Sequence, residues 1–173
     1  MRETRTVQPG LTHHASRITL RLGIISDTHN FFDPKIPKLF AGVDHILHGG
    51  DIGQHWILLE LEQIAPVTAV GGNTDDSGLR YKQIAVIELE RRKFLVHHIV
   101  NPRAPEDSIK ERIAREKPDV VVFGHTHKPF SETIGGVLYF NPGYAGQSRF
   151  ALPRSLAVLH CDKRGIRTEY LPL

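Results

Sequence analysis

Seven side chains that can hold hard or borderline cations stand at the ends of apolar runs: Asp27, His29, Asp51, Asn73, His97, His125 and His127. They are spelled Asp27-Thr28-His29, Gly50-Asp51, Gly72-Asn73, His97-His98 and Gly124-His125-Thr126-His127. Two carboxylates, one amide oxygen and four imidazoles are about what two metal ions sharing a ligand need. Two such ions make a hydroxide near neutral pH and hold the oxygens of a phosphoryl group during in-line displacement. The chemistry expected is therefore two-metal hydrolysis at phosphorus.

The elements that must position these groups are readable from pattern. Residues 18–26 and 43–48 are β-rich apolar runs, and residues 67–70 form a third. Between the first two, Pro34 and Pro37 bracket a short helix or turn ending near Ala41. Between the second and third, Ile57, Leu58, Leu61, Ile64 and Ala65 make one face of a helix that Pro66 ends. That order implies parallel strands with crossovers. Residues 84–90 and 93–97 then read as a hairpin around a charged tip. Residues 105–117 read as a helix, with Ile109 and Ile113 on one face and Glu111 paired with Arg115 outside. Residues 119–123 form another buried strand. Gly135-Gly136 turns a hairpin between 130–134 and 137–140, and 156–160 with 166–170 flank a last turn. A parallel first half and a hairpin-rich second half fit two sheets packed face to face with helices outside. In an extended segment residues i and i+2 point the same way, so Asp27 and His29 are expected to reach one metal from a strand end.

Composition bounds the rest. The 173 residues, 40% hydrophobic and 24% charged, suit one globular domain, residues 18–173, behind a loose polar arm at 1–17. The formal charge of +3 comes from scattered basic residues, so a stable nucleic-acid complex is not expected. No apolar run approaches the ~20 residues of a membrane span, no signal peptide is visible, and Cys161 has no partner for a disulfide, which together point to the cytoplasm. A homo-oligomer is neither implied nor excluded.

The five motifs, in this order, resemble the calcineurin-like metallophosphoesterase superfamily, and in size and spelling its small YfcE-type phosphodiesterase branch. The resemblance runs from about Leu20 to the C-terminus. It implies an α/β fold, a four-layer α/β/β/α sandwich of two mixed sheets with a dinuclear metal site at the strand ends. It assigns Asp27, His29, Asp51 and His127 to one metal and Asp51, Asn73, His97 and His125 to the other, with Asp51 bridging. It implies manganese first, with iron, nickel, cobalt or zinc as alternatives, and a small phosphodiester substrate attacked by the metal-bridging hydroxide. His48 fits the lead-in to the bridging aspartate and is expected to be packed behind it.

Two departures from the family pattern bear on catalysis. Many relatives have a histidine after the motif asparagine as proton donor to the leaving group; here the residue is Thr74, a poor general acid. His98 stands where glycine is frequent, and could supply that acid or face away on the strand end. The candidate catalytic residues are thus Asn73, Thr74 and His98, and diesters with good leaving groups are expected over alkyl monoesters. Tyr144, Arg149 and Arg154 are candidate contacts to the rest of a substrate. The alternative reading is a catalytically weak interaction scaffold, since the retromer subunit Vps29 resembles this fold but has an impaired site. A nuclease lacks a basic track here, and Asp51-Ile52-Gly53-Gln54-His55 lacks the Arg-Gly pair usual in dinucleotide and protein phosphatases of the superfamily.

Overall fold

A computed structural model describes residues 19–76, 78, 81–149 and 151–173; the N-terminal arm expected at 1–17 lies outside the described residues. The strands are β1 (Leu20–Ile25), β2 (His45–His48), β3 (Val67–Ala69), β4 (Ile84–Leu89), β5 (Arg92–His97), β6 (Val120–Val122), β7 (Phe130–Ile134), β8 (Val137–Asn141), β9 (Ser155–Asp162) and β10 (Gly165–Pro172). The helices are α1 (Ile36–Leu39), α2 (Trp56–Glu62) and α3 (Asp107–Glu116).

Two five-stranded sheets form, ordered β10-β9-β1-β2-β3 and β4-β5-β6-β8-β7. Each is built alike. Parallel strands β1, β2 and β3 are flanked by the antiparallel β9–β10 pair. Parallel strands β5, β6 and β8 are flanked by antiparallel β4 and β7. The split into a parallel and a hairpin-rich half therefore holds along the chain but not between the sheets. The last hairpin returns to the first sheet, where β9 pairs with β1 from Leu20↔Cys161 to Ile24↔Ala157.

Strand alternation makes three apolar layers. Leu20, Leu22, Ile24 and Leu47 of the first sheet meet Phe94, Val96, Val120, Val122 and Phe140 of the second in the central layer. The opposite parity, Ile25, Ile46 and Val158, packs under α1 and α2 through Ile36, Ile57, Leu58 and Leu61. Leu95, Val121 and Tyr139 face Ile113 of α3. This is the expected four-layer α/β/β/α sandwich. The α3 surface differs in detail: Arg112 pairs with Glu116 at 3.2 Å, rather than Glu111 with Arg115. Cys161 is buried in the central layer, where burial pushes its thiol up to about 11. No helix among the described residues is long and apolar enough to cross a membrane.

Candidate dinuclear metal centre

All the parallel strands end at one edge of the sandwich. β1 leads to Asp27, β2 to Asp51, β3 to Asn73, β5 to His98, β6 to His125 and His127, and β8 ends at Asn141. In open parallel sheets the carboxyl ends leave a crevice for ligands, and here two sheets share one.

The first group is Asp27, His29, Asp51 and His127, whose ligating atoms all lie within 4.8 Å of one another. His127 Nε2 stands 3.2 Å from Asp27 Oδ1 and 3.3 Å from His29 Nε2. His29 Nε2 is 3.7 Å from Asp51 Oδ2. A second group meets the same aspartate, and its His98 Nε2 is also 4.0 Å from Asp27 Oδ1. His98 Nε2 lies 3.3 Å from Asp51 Oδ2 and 3.1 Å from Asn73 Oδ1, and His125 Nδ1 lies 2.9 Å from Asn73 Oδ1. Asp51 Oδ2 is thus the atom common to both groups.

His97 is not brought into either group. Its Nδ1 donates to the Gln83 carbonyl at 2.7 Å, outside the crevice. The reason is strand parity. Phe94 and Val96 point into the central layer, so His98 continues that face, while His97 follows Leu95 toward the α3 layer. His98 is only 2% exposed, and its Nδ1–H donates to Gly49 O at 2.7 Å. That bond turns Nε2 toward Asp51 and Asn73, where it can ligate a metal once it gives up its proton.

The local backbone also differs from a strand end with extended residues. Asp27, His29, Asp51, His125 and His127 all have positive φ, between 44° and 65°. This left-handed conformation is uncommon outside glycine, though Asp, Asn and His tolerate it best. It costs on the order of 1–3 kcal/mol at a strained position and persists only where the surroundings fix it. Here the fixing bonds are visible. Asp27 N donates to Gly50 O, His29 N to Asp51 O and Asn30 N to Ile52 O, each at 2.9 Å. Asp27 and His29 therefore converge because alternate residues turn left-handed, not because the chain is extended. His125-Thr126-His127 repeats the device, and its loop is held by Asn141, whose Nδ2 donates to Gly124 O at 2.8 Å and to Thr126 Oγ1 at 3.1 Å. Two glycines permit the close approach: a Cβ on Gly72 would collide with Asp51 Oδ1, and one on Gly124 with Ser26 Oγ.

Groups behind the crevice orient these side chains. His48 is fully buried, and burial pushes its imidazole down to about 4. Its Nδ1 accepts from Gly50 N at 3.2 Å and its Nε2 faces Thr28 Oγ1 at 3.0 Å, so it is the packed histidine behind the bridge. Asp75, which sequence reasoning passed over, accepts from Gly72 N at 2.8 Å, Gly53 N at 2.7 Å and Ile52 N at 3.1 Å. It ties the Asp51 loop to the Asn73 loop. Its place two residues after Asn73 was the only signal. Thr74 donates its N–H to Asp51 Oδ1 at 2.8 Å, and its hydroxyl lies 3.3 Å from His29 Nδ1. Tyr144 is buried with its ring 4.7 Å from that of His127, and Arg154 is held by Asp33 at 2.8 Å, so neither is a free surface contact.

The electrostatics suit a cation. Burial pushes the Asp51 carboxyl up, but hydrogen bonds from His98 and Thr74 outweigh it and hold the group well below the usual carboxylate range. Burial lowers His29 despite Asp51 and Asp27. Burial also pushes His98 down, but the Asp51 hydrogen bond and the Asp27 charge leave it above its ordinary value. Ionised carboxylate, amide oxygen and imidazole nitrogens crowd one another within a few ångströms. Mixed N/O donors of this kind fit divalent transition metals.

Residues 20–164 match the calcineurin-like phosphoesterase superfamily domain. The chain belongs to that superfamily. It is 33% identical to a probable metallophosphoesterase of Methanothermobacter thermautotrophicus, over 87% of this chain and 91% of that one. It is 33% identical to the phosphodiesterase YfcE of Escherichia coli K12, over 83% and 89% of the two chains. Vacuolar protein sorting 29 of Cryptosporidium parvum shares the fold, with a TM-score of 0.71 at 18% identity over 90% of this chain and 98% of that one.

Proposed function

We propose that this chain is a dinuclear-metal phosphodiesterase. The observation that carries the reading is the convergence of two donor groups on Asp51 Oδ2, one with Asp27, His29 and His127, the other with Asn73, His98 and His125. In this proposal His98 takes the ligand position that sequence reading gave to His97. Two bound divalent ions would supply the activated water and would stabilise charge on the oxygens at phosphorus; manganese is the first candidate, with iron, nickel, cobalt and zinc behind it.

The chain's own residues do the positioning. The Thr74 N–H donates to Asp51 and favours its ionised form. Asn73 directs its amide oxygen between His98 and His125 and keeps its NH₂ for a phosphoryl oxygen. Thr74 accepts from or donates to His29 Nδ1, which holds that ring with Nε2 toward Asp51. A threonine so engaged is a poor proton donor to a leaving group, which favours diesters whose leaving group departs as an anion.

The scaffold reading is set against this by the complete donor set. One experiment separates them: turnover of bis-p-nitrophenyl phosphate and p-nitrophenyl phosphate by chelated protein reloaded with Mn²⁺, Ni²⁺, Zn²⁺ or Mg²⁺. Metal-restored hydrolysis that is faster on the diester is the expected result, and Thr74→His should move the ratio toward the monoester. Two bound ions per chain with no turnover would return the scaffold reading, and an unchanged ratio in Thr74→His would remove the leaving-group argument.

A further inference from the structure

Four imidazoles stand in the two donor groups, and three of them have a hydrogen-bond partner at Nδ1. His29 Nδ1 meets the Thr74 hydroxyl at 3.3 Å, His98 Nδ1 donates to Gly49 O at 2.7 Å, and His125 Nδ1 lies 2.9 Å from Asn73 Oδ1. His127 is the exception. Its Nε2 points at Asp27 and His29, and its Nδ1 makes no hydrogen bond among the described residues. A metal-binding histidine ordinarily has its second ring nitrogen held by a carboxylate, a carbonyl or water. What His127 has instead is the face of Tyr144, 4.7 Å away between centroids and tilted by 33°. The same ring lies 5.9 Å from His29 at 45°, and the two imidazoles meet edge to face at 5.3 Å and 76°. Tyr144 is itself fixed. It is 1% exposed, its carbonyl accepts from Ser155 N at 2.9 Å, and its hydroxyl donates to Gln147 O at 2.9 Å. The next residue, Ala145, donates its N–H to Ser26 O at 3.2 Å, which anchors the ring to the strand end that carries Asp27.

An aromatic face packed against an imidazole limits its rotation and leaves the ring nitrogens free to ligate. We propose that Tyr144 is a positioning residue for the first metal: its ring holds the His127 imidazole, in place of a hydrogen bond at Nδ1, so that Nε2 meets Asp27 and His29. This rests on the two-metal reading of the centre. It makes the first donor group depend on a buried side chain that is not itself a ligand. The second group has no such dependence. His98 and His125 meet each other edge to face at 5.4 Å, and Tyr144 makes no ring contact with either among the described residues.

The test is Mn²⁺ binding to the chelated full chain by titration calorimetry, with circular dichroism to check the fold. Wild type should bind two ions. Tyr144→Leu should weaken one of them by about tenfold or more, the loss expected when a group that orients a ligand is removed. The other ion should stay within about twofold. Tyr144→Phe keeps the ring and should hold both affinities within about threefold of wild type, since the hydroxyl serves only Gln147. His127→Ala identifies the weakened ion, because adding Tyr144→Leu to it should cost nothing further at that site. A second readout needs neither metal nor variant: in metal-free wild type, nuclear Overhauser contacts should join the ring protons of Tyr144 and His127. Unchanged affinities in Tyr144→Leu, equal weakening of both ions, a Tyr144→Phe as weak as Tyr144→Leu, a full loss on top of His127→Ala, or absence of the ring contact would each overturn the proposal. The phosphodiesterase reading fails separately, by a wild type that binds two ions and does not turn over bis-p-nitrophenyl phosphate.

Discussion

At the scale of single residues, His97 and His98 make the sharpest test. They are adjacent in sequence and opposite in direction: one donates to Gln83 O, the other reaches Asp51 and Asn73. His98→Ala removes a ligand atom from the second donor group. It is expected to lower the bound metal from two ions toward one and to reduce diester turnover by about 100-fold, a few kcal/mol of transition-state stabilisation. His97→Ala should keep its metal and stay within about threefold of wild type, since it loses one hydrogen bond outside the crevice. Metal content by elemental analysis beside kcat/KM reads both. The reverse pattern would restore the ligand assignment to His97.

Among the elements, the loops after β2 and β3 depend on each other through Asp75. Three backbone N–H groups converge on its carboxylate, two from the Asp51 loop and one from Gly72. Each charge-assisted bond outweighs an ordinary one, and together they fix the spacing of Asp51 and Asn73. Asp75→Asn keeps the shape but has one acceptor oxygen instead of two. Metal affinity is expected to fall about tenfold or more, as for other groups that orient ligands, while the fold persists. Competition with a fluorescent chelator measures the affinity, and circular dichroism checks the fold. Unchanged affinity would show that the two loops hold their spacing without it.

For the molecule as a whole, the centre joins the two sheets. Asp27, His29, Asp51 and Asn73 follow strands of the first sheet, and His98, His125 and His127 follow strands of the second. Metal that binds only the folded chain stabilises it by about 2.7 kcal/mol at a hundredfold excess over Kd. Stripping the metal with a chelator should therefore lower Tm by roughly 5–10 °C, and reloading should restore it. A second long-range tie is the Asp33–Arg154 pair, whose side chains are 8% and 13% exposed. Burial pushes the Asp33 carboxyl up, but the Lys35 N–H and Arg154 together hold it below its ordinary value. A depressed carboxylate contributes stability that is complete above the unfolded-state value near 4 and is lost as pH falls through the lower folded value. Asp33→Asn removes the charge partner of a half-buried guanidinium that keeps only the Gly146 and Ala145 carbonyls, so at neutral pH it should cost about 3 kcal/mol. The difference between wild type and variant in urea titrations should narrow below about pH 4, where the wild-type carboxylate also loses its charge. A difference that stays constant down to pH 2 would mean the pair contributes nothing through ionisation.

Much of this was legible in the chain. The β-rich runs, the Gly135-Gly136 turn and the Ile57–Leu61 face gave strands, hairpins and a helix where the structure has them, because burial on one face imposes a period on sequence. The donor types of Asp27, His29, Asp51, Asn73, His125 and His127 were visible because each sits where an apolar run stops. Three things were decided only by tertiary structure. The last hairpin joined the first sheet, since nothing local distinguishes pairing with β1 from pairing with β7 or β8. Parity at the end of β5 chose His98 over its neighbour, because two adjacent histidines look alike until one face is known to be the central layer. The left-handed turns at Asp27, His29, Asp51, His125 and His127 were invisible, because such a conformation is held in place by partners far along the chain, Gly50, Ile52 and Asn141 among them, and not by the residues that adopt it.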